Sequence, residues 1–322
     1  MSFSRHRLVQ QYQPVRRRIP MTTVQKGEAA TVHWATREPA EVCRRALHHE
    51  PFRATHPLAA HPLFTIDALM RLAREVSKRK GDLYFDAGDV SIDDKWGKIP
   101  VPDRPVTDVI ERIESAGAWI VMKHVELNPA YAAVLADWAA FVRDVAGPSG
   151  AHLLRKPEML VFITSPNRVT PFHFDAEVNF LVQIAGSKDL WVCDPNDRTV
   201  TTEEELEIYY AGDIAAGHYK PRVDVEAQHF QLDPGDAVHI PTHGAHWVKN
   251  HNNISISLSL NFEFPAWYRA DIYRANHYLR RLGVTPRGPG CSVLSDRAKA
   301  ATGAAIRLTR DARRRLVSGA RA

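Results

Sequence analysis

The sequence predicts a mainly β protein with flanking helices, its core a two-sheet jelly roll, and three observations carry that prediction. Five short apolar or alternating segments crowd the second half, at 160–164, 180–185, 190–193, 237–240 and 254–262, and Pro, Gly, Asn and Asp turns separate them. Closely spaced strands of this kind argue for a sandwich or barrel, and a jelly roll brings side chains from several strands into one interior. Helix-period patterns occupy the flanks, before residue 146 and after residue 264. The composition, 44% hydrophobic and 25% charged, is that of a globular chain with enough apolar surface for one large core.

In chain order, residues 1–27 are basic, polar and aperiodic, and read as a flexible N-terminal arm. They contain no apolar stretch of the secretory kind, so the chain is expected in the cytoplasm. Residues 28–156 read as helical and strand elements packed on the core. Val32 and Trp34 alternate around His33 in a first short strand. A helix opens at Glu38-Pro39 and carries Val42, Cys43, Ala46 and Leu47. A second covers 67–78, where Leu69, Leu72, Ala73 and Val76 recur at helical spacing behind a Thr65 or Asp67 cap. A strand at 83–85, helices over 106–116 and 129–145, and a strand within WIVMKHVEL complete this part.

Residues 157–264 are the predicted jelly-roll core. The stretch 194–228 interrupts its strand rhythm; it is too long for a hairpin and is a candidate lid. Its acidic TTEEELE run is either solvated or, folded over the opening, an attraction for a basic substrate. Residues 265–322 return to helix, over 267–281 and 295–316, as a homodimer interface or a cover for an open end of the barrel.

Cys43, Cys193 and Cys291 are odd in number and far apart, which excludes a disulfide framework and a thiolate metal site and fits a reducing compartment. The net charge of +5 is concentrated at Arg16, Arg17 and Arg18 and at Arg307, Arg310, Arg313, Arg314 and Arg315. These runs read as solvated ends. They lack interleaved aromatics, and no helix-turn-helix pair or zinc-finger spacing accompanies them, so no nucleic acid is expected as a partner. No apolar run is long enough to cross a bilayer, so no membrane is expected either.

The chemistry-bearing residues lie in the core. His173 and Asp175 stand two apart in TPFHFD, so on a strand or its immediate extension their side chains share a face, while Phe172 and Phe174 turn into packing. A third ligand must come from a neighbouring strand, and His246, after the turn-rich PGD and IPTHGAH runs, is the candidate. Two histidines and one carboxylate with open positions form the facial triad of non-haem Fe(II) sites. On spacing alone, two buried structural histidines and a turn carboxylate would look the same. Lys188 would likewise pass for a surface lysine beside the Gly186-Ser187 turn. His239, His243 and His251 receive no catalytic role. Gln183, Tyr209 and Tyr210 join Asn179 and Asn261 as unranked contacts around the ligands, and Trp247 as a steric support for His246.

Together, TPFHFD, NFLVQIAGSK, PGDAVHIPTHGAHWV and SLSLNF resemble the JmjC-type, cupin-like 2-oxoglutarate oxygenases, in particular the branch of asparaginyl hydroxylases of the factor-inhibiting-HIF kind and its bacterial relatives. The resemblance covers roughly residues 157–264; the flanking helices match in general layout only. It implies a double-stranded β-helix, Fe(II) held by His173, Asp175 and His246, and 2-oxoglutarate and dioxygen as co-substrates. It further implies that Lys188 binds the distal carboxylate of 2-oxoglutarate, with Thr170, Asn179 and Asn261 beside it. The expected reaction is hydroxylation of an unactivated C–H bond with release of succinate and carbon dioxide. The substrate is a protein or peptide side chain or a small amino-acid-like metabolite. Two other readings compete: a non-catalytic JmjC-like regulatory or binding protein, and a cupin-type metalloenzyme that does not use 2-oxoglutarate. Lys188 with Thr170 argues against the latter.

Overall fold

Val178–Ala185 is buried along nearly its whole length, so this strand must be covered on both faces. The computed structural model, which describes residues 33–95, 99–263 and 267–319, builds those two covers from different materials. The N-terminal arm predicted at 1–27 lies outside the described residues.

The first half supplies β1 (Ala35–Thr36), α1 (Ala40–Ala46), β2 (Phe52–Thr55), α2 (Ile66–Val76), β3 (Leu83–Ala87), α3 (Val106–Glu111), β4 (Ala118–Met122) and α4 (Pro129–Gly150). Thr65 caps α2 by accepting the Ala68 N–H, and Asn128 caps α4 by accepting that of Ala130, with Pro129 at the tolerated first position. The core follows as β5 (Arg155–Thr164), β6 (Val169–His173), β7 (Val178–Ala185) and β8 (Lys188–Val192). Next come α5 (Glu203–Ala211), α6 (Val223–Glu226), β9 (Gln228–Leu232), β10 (Asp236–Ile240), β11 (His246–Asn250) and β12 (Ser255–Glu263). α7 (Trp267–Arg281) and α8 (Val293–Gly319) close the chain.

The strands form two antiparallel sheets, one of eight in the order β1-β2-β10-β7-β12-β5-β4-β3 and one of four in the order β6-β11-β8-β9. Four strands from the first 122 residues therefore extend the large sheet on both edges, beyond the segment predicted as core. Alternation sorts each strand's residues between layers. On β7 and β12, Val178, Phe180, Val182, Ile184, Ile256, Leu258, Leu260 and Phe262 pack against α1, α2 and α4 through Leu47, Leu69, Trp138 and Val142. Between the sheets, Leu181, Leu190, Val192, Phe230, Val238, Ile240 and Val248 form a second cluster. On the outer side of the small sheet, Phe172, Phe174, Cys193 and Trp247 meet Leu206 of α5 and Tyr273 of α7.

The segment 194–228 is thus no open loop. α5 carries a complete capping box between Thr202 and Glu205 and packs on the small sheet. Three of its four carboxylates are engaged internally, Glu203 with Arg198, Glu205 with Lys220 and Glu207 with Arg280, while Glu204 is exposed. This counts against the expectation that the TTEEELE run faces a basic substrate. The basic C-terminal run is also partly structural, since Arg307 pairs with Asp271 and Arg310 donates to the Ala211 carbonyl. Among the described residues no helix is long and apolar enough to cross a membrane.

Candidate metal centre

Two strands and one turn deliver the predicted triad to the space between the sheets. β6 and β11 pair with His173 opposite His246, then shift register so that Val248 faces Thr170. Two residues of β6, Pro171 and Phe172, therefore oppose Trp247 alone. This is a β-bulge, and proline is tolerated there because the ladder is already broken. Its effect is to aim both Thr170 and His173, three residues apart, into one cavity, while Phe172 turns outward to Trp247. Asp175 follows on the turn before β7 with the same facing as His173.

The two imidazole rings lie 4.1 Å apart between centroids, and the Asp175 Oδ2 sits 3.9 Å from the Nε2 of each. The three donor atoms all fall within 4.8 Å of one another. Two metal–ligand bonds of about 2.1 Å span the Asp175-to-imidazole distances. Both histidines are oriented in the same way, by Nδ1 bonded to a carbonyl two residues earlier: Pro171 O at 2.8 Å and Gly244 O at 2.9 Å. That bond makes Nδ1 the donor and leaves the Nε2 lone pair facing the cavity, the arrangement that metal-ligating histidines use. Burial, with His173 close by, holds His246 well below the ordinary imidazole pKa, so it is neutral and able to ligate.

Across the cavity lies Lys188, the first residue of β8. It shares the facing of Leu190 and Val192 and is 4% exposed. Its Nζ donates to Ser257 Oγ at 2.9 Å, and burial pulls its pKa down to about 7. A buried ammonium with one hydroxyl partner is a costly arrangement that an incoming carboxylate would relieve. Thr170, Asn179 and Asn261 line the same cavity. Asn261 accepts from Ser259 Oγ, whereas the buried Asn179 Oδ1 has no partner. The donor set and the under-compensated Lys188 fit a metal ion with an anionic oxo-acid beside it.

The cavity holds about 290 Å³, and Tyr84, Trp119, Phe162, Tyr209 and Ile214 are among the residues that wall it. Trp119 stacks on Phe162 at 5.8 Å between centroids. Sequence reasoning overlooked Glu158, Glu177, Ser257 and Ser259, which also line it. Glu177 continues the two-residue spacing of His173 and Asp175, and SLSLNF alternates small polar with apolar residues, so both patterns were legible. Burial and then Asp175 raise the Glu177 pKa to about 7. Of the unranked contacts, Tyr209 reaches the cavity. Gln183 instead bonds Ala185 O, Gly186 O and Ser255 Oγ, and Tyr210 bonds His243 Nε2. Trp247 stands outside the cavity, stacked on Trp191 at 5.4 Å.

No curated protein matches the chain. Among solved structures it is similar to that of an Escherichia coli protein, ycfD, with 15% identity over 85% of this chain and 69% of that one, at a TM-score of 0.50. Two further structures of that protein are described as a ribosomal oxygenase, in complex with cobalt and succinic acid and with cobalt and 2-oxoglutarate. They match at 15% and 13% identity, each over 85% of this chain and 68% of theirs, with a TM-score of 0.46. At such identities the likeness is one of fold. The family model of the cupin-like domain matches from α3 through β12 and into α7, the span that contains both sheets' central strands and all three triad residues. The match to the cupin-like domain covers residues 110–269, just under half of the chain, and the antiparallel two-sheet core it spans has the architecture of that fold.

Proposed function

We propose that this chain is an Fe(II)- and 2-oxoglutarate-dependent dioxygenase that hydroxylates an unactivated C–H bond, with release of succinate and carbon dioxide. The observation that carries the reading is the pairing of an inward-facing His173–Asp175–His246 triad with a buried, under-compensated Lys188 in one inter-sheet cavity. A metal triad alone would suit many cupin-type chemistries. A buried cation in the same cavity narrows the choice to a reaction that brings a carboxylate there.

In this reading His173 and His246 supply neutral nitrogen ligands and Asp175 an anionic oxygen. Lys188 binds the distal carboxylate of 2-oxoglutarate, Thr170 adds a hydroxyl donor, and Asn179 and Asn261 complete the polar lining. When bound, the metal and co-substrate supply the oxidising chemistry. The protein's part is to hold the substrate's C–H beside the metal and to exclude water, for which Trp119, Phe162, Tyr209 and Ile214 provide apolar surface. The substrate is a protein or peptide side chain or a small amino-acid-like metabolite. The three unpaired cysteines support a reducing, cytoplasmic setting.

The test is anaerobic reconstitution with Fe(II), then addition of dioxygen and 2-oxoglutarate with succinate quantified. Wild-type protein should yield iron-dependent succinate, and Asp175→Ala should lower it at least a hundredfold. Metal binding without 2-oxoglutarate binding would overturn the proposal in favour of a cupin-type metalloenzyme of another kind. Binding of neither would leave the non-catalytic binding protein.

A further inference from the structure

Asp175 is the least supported member of the triad. Its carboxylate has no hydrogen bond among the described residues, and its side chain is 37% exposed on a turn between strands. What holds it is backbone. The Asp175 carbonyl accepts from the His243 N–H at 2.9 Å, and the next N–H, of Ala176, donates to Tyr209 Oη at 3.2 Å.

His243 is itself held in an unusual state. Its φ of 63° puts it in the left-handed region, which a non-glycine residue adopts at a cost. Its Nε2 shares a 2.7 Å hydrogen bond with Tyr210 Oη. Tyr210 leans in turn on α7: its ring stacks on Tyr273 at 5.8 Å and 4°, and its carbonyl accepts from Arg274 Nε at 3.1 Å. Two bonds from Arg280 to Glu207 fix α5 to the same helix. A continuous path of contacts thus runs from α7, through Tyr210 and His243, to the backbone of one metal ligand.

We infer that Tyr210 and His243 are positioning residues for Asp175, and that α7 is part of the frame of the metal centre as well as a cover for the domain. The inference rests on the metal reading of the triad. Asp175 must stay in one place to ligate, its own side chain makes no bond that would keep it there, and the strained His243 amide is the contact that fixes the Asp175 carbonyl. Partners that orient a ligand cost about tenfold or more in metal affinity when removed.

Co(II) titration of the metal-free protein, followed by binding isotherm and by the cobalt absorption spectrum, tests this without requiring turnover. Wild type should bind one Co(II), and His173→Ala should abolish binding; failure here would sink the metal reading itself. Tyr210→Phe keeps the stacked ring and removes the hydroxyl, and should weaken Co(II) about tenfold with an altered absorption band. Tyr131→Phe is the matched control, since it deletes a buried tyrosine hydroxyl bonded to Leu63 O on the far side of the large sheet. It should leave affinity and spectrum as in wild type. Should Tyr210→Phe fail to fold, His243→Asn, which tolerates the left-handed backbone but withdraws the imidazole, should give the same weakening. Wild-type affinity and spectrum in the folded variant would overturn the inference, as would an equal loss in Tyr131→Phe.

Discussion

At the scale of single residues, Lys188 is where burial and function pull in opposite directions. A lysine with pKa about 7 in the folded protein and an ordinary value near 10.4 when unfolded makes the unfolded chain the better proton binder between those limits. The stability of the ligand-free protein should therefore rise with pH across that window, and Lys188→Met should remove the slope and raise the melting temperature at pH 7. Ligand binding runs the other way. A carboxylate needs the charged ammonium, so 2-oxoglutarate affinity should fall as pH climbs above 7, approaching tenfold per unit, because binding must then take up a proton. Lys188→Met should cost 2-oxoglutarate roughly 10–100-fold in affinity, the worth of a hydrogen bond to a charged group, with Co(II) binding unchanged. Calorimetric titration of both ligands across pH 6–9 checks these statements together. A flat pH profile in wild type would show that another cation holds the co-substrate.

At the scale of elements, the turn that presents Lys188 is closed tightly against a neighbouring turn. Gly186 has a φ of 69°, and a Cβ there would fall 2.0 Å from Asn253 Oδ1 and 2.2 Å from Ile254 O. Asn253 Oδ1 already accepts the Ser187 N–H at 2.9 Å, so the clash cannot be relieved without losing that bond. Gly186→Ala should destabilise by about 3 kcal/mol, read as a lower urea midpoint at unchanged slope. Gly235→Ala is the comparison: its φ of 103° is equally unfavourable, but nothing lies within 4 Å, so the cost should be about 1–2 kcal/mol. The glycine, like the rest of the turn, was legible as punctuation, and so were the strands it joins, because alternation in NFLVQIA and SISLSLNF is a local property. The triad was legible for the same reason, two of its members standing two residues apart at the end of one strand and the turn that follows. The bulge at Pro171 and Phe172 was not, since it exists only relative to β11. β2 and the lid-like segment were also missed as elements. The four residues of FRAT earn strand status by pairing with β1 and β10, and α5 is held by contacts to α7 far along the chain. What eluded the sequence was in each case a relation between distant segments.

At the scale of the whole molecule, the helical layer and the large sheet are joined partly by histidines that are folded in uncharged. His56 accepts the Leu58 N–H on Nδ1 and donates from Nε2 to Gln183 O, 2.9 Å away on β7. His239 of β10 bonds Glu50 O through Nδ1, accepts the His48 N–H on Nε2, and stacks on Phe52 at 4.5 Å. Each ring has one nitrogen already used as an acceptor, so protonation would break a bond as well as bury a charge. Burial accordingly pulls His56 down to about 4 and His239 to about 3. The sign follows from the unfolded chain, whose histidines take up protons at about 6.5 while the folded ones refuse them. Stability supplied by these contacts is full above pH 6.5 and is lost progressively below it, by up to ~1.4 kcal/mol per pH unit for each histidine. Urea denaturation of the metal-free protein between pH 7.5 and 4.5 should show that decline, and His239→Gln, which keeps a neutral hydrogen-bonding side chain, should flatten it by about 1 kcal/mol per unit. An unaltered slope in the variant would mean that the acid sensitivity lies elsewhere, in the triad or the carboxylates.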